Sequence, residues 1–302
     1  MKNIENKLIS VKDFSPEELR KWQMKLLEIM VYFRDFCEAH NFRFFLSGGT
    51  CLGAIRHKGF IPWDDDVDVI MFREDYEELI RIWDKEADTS KFVCQVTTKD
   101  KCSRFPMATI RSVDTTCMYN HSVNDDICQG LKIDLEFIDV VPKGFFSKKL
   151  HTICSGLYGL FMTQRVPERM SLISFMSSKL LLMMFPTQKS RWFMAKLFEW
   201  YVTRFNPAKE GDTIRYLLSH PRPYSYFRDV VWVDFEGERM PLPIDYDKSL
   251  TASYGDYMQL PPEDQRKPAT DNLVFYDLDH SYLDYKGIYY CVNHNRKCPP
   301  MF

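Results

Sequence analysis

The sequence contains 302 residues, of which 45% are hydrophobic and 27% are charged, with 12 glycines and 16 prolines. This composition is typical of a globular chain with a substantial core, and it excludes disordered, collagen-like and low-complexity proteins. The net charge of −2 argues against a protein that coats nucleic acid through bulk positive charge, so no nucleic-acid partner is expected.

Helix and strand signals alternate over the first 145 residues. Ser15 and Glu18 form a capping box around Pro16, and apolar residues at helical spacing follow, which predicts a helix over 16–39. The later patterns predict helices over 50–56 and 75–83 and strands over 42–46, 67–72, 92–96, 104–111, 115–119 and 131–138. The alternation predicts an α+β (α/β) fold.

The middle of the chain is a basic block inside an acidic protein. Residues 143–215 contain 12 Lys or Arg and 4 Asp or Glu, a local charge of +8 that leaves −10 for the remainder. Stretches of Leu, Met and Phe separate the basic residues, and breaks near Pro167 and Pro186 predict three helices. This pattern suits a peripheral contact with the inner membrane face, or equally a helical core with a solvated basic face.

The compartment predicted from the sequence is the cytoplasm. The N-terminal residues lack the apolar core of a secretory signal, and no run reaches the roughly 18 apolar residues that a membrane span needs. Nine cysteines without a C-x-x-C pair are typical of thiols in a reducing compartment. Cys291, His294 and Cys298 offer three zinc ligands, but a fourth is missing from the segment, and an untethered tail is favoured over a zinc site.

The most informative stretch is residues 61–70. Side chains alternate between the faces of a strand, so Asp64, Asp66 and Asp68 can share one face while the intervening valines pack on the other. Carboxylates clustered in this way raise one another's pKa unless a divalent cation neutralises them. Because oxygen ligands with no His or Cys in the run favour Mg²⁺ or Mn²⁺ over zinc, the stretch predicts such a metal site. A solvated acidic loop is the weaker alternative.

A glycine turn precedes this acidic run by about 15 to 20 residues. Ser47, Gly48 and Gly49 follow an apolar strand and precede a predicted helix, so their backbone N–H groups can cradle a phosphate. A glycine pair alone is weak evidence. A cradle followed by paired aspartates fits phosphoryl or nucleotidyl transfer, because both reactions need both parts.

Residues 44–71, FFLSGGTCLGAIRHKGFIPWDDDVDVIM, closely resemble the signature of the LicD family of phosphocholine transferases, which includes the fukutin-related transferases. The family lies within the nucleotidyltransferase-fold superfamily. The likeness continues through residues 132–142 and 254–262, so it brackets most of the chain. It implies a nucleotidyltransferase-like mixed sheet with flanking helices and a helical insertion. The predicted regions are a catalytic core over 1–142, a basic and apolar helical region over 143–215, and a mixed C-terminal region over 216–302 that completes the catalytic domain.

The resemblance also implies an activity. Members transfer a phosphorylated alcohol, commonly phosphocholine from CDP-choline, to a hydroxyl of a cell-surface glycan or teichoic-acid precursor. The expected partners are a CDP-alcohol donor and a lipid-linked or cell-surface glycan acceptor, with Mg²⁺ or Mn²⁺ as cofactor. The alternative is a nucleotidyltransferase acting on a sugar, phosphate or RNA acceptor, because the same metal site serves both reactions. A non-catalytic scaffold is disfavoured, since the carboxylates are retained.

The matched positions take their roles from the same resemblance. Asp66 and Asp68 match the metal pair, and Asp134 matches a third acid that completes the metal site or accepts the proton of the attacking hydroxyl. Asp65 stands where the superfamily has an apolar residue, which leaves open whether Asp64 is a further ligand. Contacts to the donor phosphates are predicted at Ser47, Gly48, Gly49, Thr50, Arg56, His57 and Lys58, the last three with a solvated basic cluster as the alternative.

Overall fold

The computed structural model describes residues 14–166, 171–216, 219–268 and 273–291. The elements of the first half are α1 (Pro16–Ala39), β1 (Phe44–Leu46), α2 (Gly48–Arg56), β2 (Asp68–Phe72), α3 (Arg73–Glu86), β3 (Phe92–Gln95), β4 (Ala108–Ser112), β5 (Thr116–Tyr119) and β6 (Lys132–Val141). Those of the second half are α4 (Phe145–Thr163), α5 (Leu172–Met184), α6 (Gln188–Thr203), β7 (Thr213–Tyr216), β8 (Arg222–Pro223), β9 (Val230–Phe235), β10 (Glu238–Pro243), α7 (Tyr246–Tyr254) and β11 (Leu273–Asp277). The mixture of helices and strands confirms the predicted α+β class.

A mixed sheet separates two apolar clusters. Its strands follow the order β1-β2-β6-β4-β3, with β7 pairing to β6 and β8 to β7. The β2–β6 pair is parallel and the other pairs are antiparallel. Val69 and Met71 pack into the larger cluster, whereas Ile70 and Phe72 pack into the smaller one. Both faces of β2 are therefore covered, as its nearly continuous apolar sequence requires.

Two element boundaries differ from the prediction for identifiable reasons. Helix α2 begins at Gly48, two residues early, because Gly48 takes a φ of +50° that lets the chain turn directly from strand into helix. The strand predicted from 104 begins only at Ala108. Arg104 has a φ of +66°, which no strand residue adopts, and its guanidinium pairs with Asp125.

The C-terminal region joins the rest of the structure through strand pairs. β7 adds to the sheet beside β6, and β11 pairs with β5. β9 and β10 form a hairpin whose two-residue turn is Glu236 and Gly237, with φ values of 56° and 82°. Positive φ at both residues is the signature of a tight hairpin turn.

An ion pair lies buried between α3, α6 and the sheet. Arg73 donates from Nε and Nη2 to the carboxylate of Asp139 at 2.9 and 2.6 Å, and its guanidinium lies 3.4 Å from the centre of the Phe137 ring. Asn206 Nδ2 donates to the same carboxylate at 2.8 Å. Burial alone would raise the pKa of Asp139, but the charge and hydrogen bonds of Arg73 more than offset this and hold that pKa below its usual value. Glu199 of α6 also contacts Arg73.

The three helices predicted in the basic block are α4, α5 and α6. α6 packs along α4, with the rings of Phe161 and Phe198 stacked at 6.0 Å between centroids. The polar break before α6 is a capping box formed by Thr187 and Ser190. In the part of the chain that the structure describes, no helix combines the length and hydrophobicity needed to cross a membrane.

Candidate active site

The aspartates of the acidic run lie where the chain enters β2. The strand begins at Asp68, later than predicted, yet the alternation expected of the run is present. Val67 and Val69 are fully buried, whereas Asp64, Asp66 and Asp68 are only partly covered. The carboxylates therefore share one side of this segment, as the spacing predicts.

Backbone hydrogen bonds bring a fourth carboxylate and the start of α2 to the same place. The parallel register sets Asp68 opposite Asp134, whose N–H donates to the Val67 carbonyl at 2.8 Å. The N–H of Asp68 donates to Thr50 Oγ1 at 3.0 Å, and the N–H of Ser47 donates to the Asp68 carbonyl at 2.9 Å. The structure thus joins the two predicted halves of the site, the glycine turn and the acidic strand.

Two buried side chains of α1 hold the loop that carries the first aspartates. Trp22 Nε1 donates to the Asp65 carbonyl at 2.8 Å. Gln23 Nε2 donates to the carbonyls of Ile61 and Asp64 at 3.1 and 2.9 Å. These carbonyls belong to an irregular segment and form no hydrogen bonds within a sheet. The side chains of α1 satisfy them and so anchor the segment to that helix.

The aspartates titrate abnormally because they are buried together. Burial and the neighbouring Asp66 and Asp65 raise the pKa of Asp64 to about 8. Burial, Asp65 and Asp134 raise the pKa of Asp66 to about 6. Burial, Asp66 and Asp134 raise the pKa of Asp68 well above its ordinary value. Without a bound cation, this cluster favours protonated carboxyls.

Little positive charge compensates the cluster. Lys132 forms an ion pair with Asp134 Oδ2, while Asp134 Oδ1 is buried without a hydrogen-bond partner. Within the described ranges, no three His, Cys, Asp or Glu side chains are close enough to hold a metal as they stand. The donor set nevertheless fits a hard divalent cation, because it consists of carboxylate oxygens, one of them unsatisfied.

These pKa values predict how metal-free protein responds to pH. A carboxyl whose pKa is raised by folding contributes stability that is complete below its unfolded value near 4 and is lost as pH rises through the folded value. For Asp66 and Asp64 that loss extends through about pH 6 and 8. Mg²⁺ should therefore raise the melting temperature at pH 8, on the order of 5 °C when well above its Kd, and have little effect at pH 5. Equal shifts at both pH values in scanning calorimetry would contradict this.

The glycine turn allows the carboxylates to approach the N-terminus of α2. A Cβ on Gly48 would lie 3.2 Å from Asp68 Oδ2, and one on Gly49 would lie 2.9 Å from Asp64 Oδ2. Ser47 is the N-cap residue of α2 and has an extended backbone, but its side chain forms no capping hydrogen bond with the helix. The first N–H groups of α2 have no acceptor within the helix, so they are available to an anionic ligand beside the carboxylates.

Replacing Gly49 by valine is expected to weaken binding of a CDP-alcohol at least 10-fold. The added side chain occupies the space between the helix terminus and Asp64, where a donor phosphate would approach. Titration calorimetry with CDP-choline measures the effect. The matched control is Gly156→Val on α4, where an added Cβ meets nothing within 4 Å. Unchanged affinity in Gly49→Val would mean that the turn is purely structural.

A cleft of about 450 Å³ extends from the cradle. Gly49 and Arg56 of α2 form one side. Three aromatic rings also line the cleft: Trp63 of the loop, Tyr254 at the end of α7 and Tyr257 after it. A concave, largely apolar cleft with a few polar groups beside perturbed carboxyls is the usual form of a small-molecule site.

The three predicted basic phosphate contacts have different surroundings. Arg56 Nη1 donates to the Tyr257 carbonyl at 3.0 Å, so it also fastens the wall of the cleft. The His57 ring meets Trp63 edge to face at 6.3 Å, and burial and Arg56 lower its pKa. Lys58 is exposed. Their contact with phosphate stays a prediction, as does that of Thr50, whose hydroxyl accepts the Asp68 N–H.

Some residues of this site were not predicted from the sequence. The Tyr254 hydroxyl lies 3.8 Å from the place of a Cβ on Gly48, and burial, together with Tyr216 and Asp68, raises its pKa to about 12. The only available signal was that Tyr254 lies in the third stretch of family likeness. Gln23 was hidden in the apolar pattern of α1, where a polar residue among core positions was the available clue.

The zinc prediction receives no support or contradiction. His294 and Cys298 lie outside the described residues, and Cys291 Sγ lies 3.9 Å from the Asn124 carbonyl oxygen. The preference for an untethered tail over a zinc site therefore stays a prediction.

Comparison with known proteins places the site within a described family. Residues 41–134 match the family model described as "LicD/FKTN/FKRP, nucleotidyltransferase domain". The chain is 30% identical over 280 residues to lipopolysaccharide cholinephosphotransferase LicD of Haemophilus influenzae, covering 83% of this chain and 95% of the relative. It is 46% identical over 50 residues to human ribitol 5-phosphate transferase FKRP, which is 17% of this chain and 10% of the relative.

Proposed function

The chain belongs to the LicD family, and on this premise we propose that it is a metal-dependent transferase of a phosphorylated alcohol. The preferred donor is CDP-choline, and the acceptor is a hydroxyl of a lipopolysaccharide, teichoic-acid or other cell-surface glycan precursor. The observation that carries the proposal is that the carboxylates of Asp64 and Asp68 lie against the open N-terminus of α2, with Asp66 between them in the chain and Asp134 of β6 opposite Asp68. The name of the Haemophilus relative, a cholinephosphotransferase, supports the choice of choline.

The proposed reaction is a displacement at phosphorus. The oxygen of the acceptor hydroxyl attacks the phosphorus that carries the alcohol, the bond from this phosphorus to CMP breaks, and CMP leaves. Asp66, Asp68 and Asp134 would hold Mg²⁺ or Mn²⁺, which when bound supplies positive charge to the phosphates. Asp64 is the further ligand if the ion takes four carboxylates.

The residues around the cluster orient the donor. The N–H groups of Gly48 and Gly49, the first two residues of α2, would bind phosphate oxygens. Asp134 Oδ1, buried and without a partner, is the atom that would complete the metal site or take the proton of the hydroxyl. The two roles are alternatives, because an oxygen coordinated to a cation is a poor proton acceptor.

The cleft is suited to the alcohol end of the donor. Trp63, Tyr254 and Tyr257 line it together, and aromatic faces attract a quaternary ammonium through their negative potential. The guanidinium of Arg266 lies 5.8 Å from the centre of the Trp63 ring. A protein cation therefore already fills part of the space over that ring. The clustering of rings beside the cradle supports choline over an uncharged polyol.

The test is a panel of CDP-alcohols with Mg²⁺, in which CMP release is measured with and without a membrane fraction containing glycan precursors. We expect CMP release that requires the acceptor fraction and is fastest with CDP-choline. A preference for CDP-ribitol would support the transferase activity and contradict the choice of choline as the transferred alcohol. Release of pyrophosphate from CTP, with no CMP from any CDP-alcohol, would contradict the proposal and favour nucleotidyl transfer.

A further inference from the structure

The helices of the basic block expose an unusual amount of apolar surface. In the described residues, 14 of the 21 exposed large hydrophobic side chains lie on α4, α5 and α6. Monomeric proteins rarely expose apolar patches of this extent unless another surface covers them. We call this set the apolar helical face: Phe145, Phe146, Leu150, Ile153, Leu172, Ile173, Phe175, Met176, Leu180, Met183, Met184, Phe193, Leu197 and Trp200.

Helix α5 contributes half of this face and buries almost none of it. Leu172 and Ile173 are 76% and 82% exposed, and Leu182 is the residue of the helix that is buried. A helix that is hydrophobic on all sides is ordinarily buried in a core or in lipid. This one reaches the core mainly through Leu182 and exposes seven large apolar side chains, which favours the interfacial interpretation over the helical core for this part of the block.

The exposed charge around the face has one sign in the described residues. Between 143 and 204, excluding 167–170, the exposed basic residues are Lys143, Lys148, Lys149, Lys179, Lys189, Lys196 and Arg204. Among the described residues of this range, no acidic side chain is exposed. Glu199 is covered and pairs with both Arg73 and Lys196.

We propose that the apolar helical face binds the surface of an anionic lipid bilayer, with α5 lying in the plane of the interface. The 13 residues of α5 rise only about 20 Å, short of the roughly 30 Å hydrocarbon layer, so the helix fits along the boundary and not across it. Apolar side chains flanked by exposed lysines, with no exposed acid among the described residues of this range, supply both components of interfacial binding.

The sign of the charge argues against the other occupants. Two copies of this face would bring like charges together, which opposes self-association. An acidic protein partner would complement the charge of the lysines. It would cover only part of α5, however, because that helix has apolar side chains on every side. A bilayer satisfies both features at once. This inference goes beyond the proposed transfer reaction and does not depend on it.

The test is flotation of the full chain with vesicles of phosphatidylcholine alone or with about 30% phosphatidylglycerol. We expect partition into the anionic vesicles, to which each lysine near the surface contributes about fivefold, and we expect this partition to weaken as salt screens the attraction. The double variant Ile173→Asp/Met183→Asp should lose at least 10-fold in partition. Ile288→Asp, which changes an exposed isoleucine outside the face, should partition as wild type does.

Folding and oligomeric state are measured on the same proteins. Melting temperature and CDP-choline affinity should be unchanged in the double variant, because neither residue lies in the core or the cleft. Wild-type protein that stays with neither vesicle type would overturn the proposal. It would also be overturned if sedimentation velocity showed a wild-type dimer that the double variant dissociates without lipid, since the face would then join two copies.

Discussion

Asp66→Asn and Asp68→Asn are each expected to lower turnover on the order of 10³-fold. Each change removes one charged ligand from the proposed metal site, which should withdraw several kcal/mol of stabilisation from a transition state that gains charge on the leaving nucleotide. Initial rates of CMP release at saturating CDP-choline and Mg²⁺ measure the effect. The variants should fold, because both carboxyls are buried beside like charges and asparagine relieves that repulsion.

Asp84→Asn provides the matched control, since Asp84 is an exposed acid in the last turn of α3, about three helical turns beyond the end of β2. It should retain wild-type turnover. Scanning calorimetry of the metal-free proteins at pH 8 should show both site variants at least as stable as wild type. If both variants retained a tenth of wild-type turnover, the proposed role of these aspartates in the reaction would be wrong.

Asp139→Ala is expected to lower the free energy of unfolding by about 3–5 kcal/mol, because it leaves the Arg73 charge buried without its partner. The side chains of Arg73 and Asp139 are only 4% and 6% exposed. Removing both charges should cost less, since a fully apolar replacement leaves nothing unpaired. Urea unfolding of Asp139→Ala and of Arg73→Met/Asp139→Leu measures the difference.

The comparison for this prediction is an exposed pair. Lys25 and Glu28 lie one turn apart on α1 at 2.9 Å, with side chains 33% and 61% exposed. Glu28→Gln should change the free energy of unfolding by about 1 kcal/mol or less. If Asp139→Ala behaved like Glu28→Gln, the buried pair would not fasten α3 to β6 and the packing described for these elements would be wrong.

Local spacing was enough to predict the acidic strand and the glycine turn. Alternation in residues 64–69 places the valines inside and the aspartates on the other side, and the structure has the same pattern. The proximity of Asp134 came from family resemblance, because no local signal states which strand pairs with β2. Only the register of β2 and β6 places it opposite Asp68.

Other features depend on contacts between distant segments. The cleft requires the chain after α7 to lie against α2, which Arg56 secures through the Tyr257 carbonyl, and periodicity carries no information about such a contact. The nature of the basic block was undecided for a related reason. A core helix and an interfacial helix have the same apolar sequence, and only the exposure of residues such as Ile173 separates them.

The most direct test of the central claim, that these carboxylates form a metal site, is binding of Mn²⁺ followed by the electron paramagnetic resonance signal of the free ion. At pH 8, wild-type protein with CDP-choline should remove Mn²⁺ from solution and Asp66→Asn/Asp68→Asn should not. At pH 5, wild-type binding should weaken, because the aspartates are protonated there. Wild-type protein that leaves the free Mn²⁺ signal unchanged at pH 8, or a double variant that binds as tightly as wild type, would contradict the account.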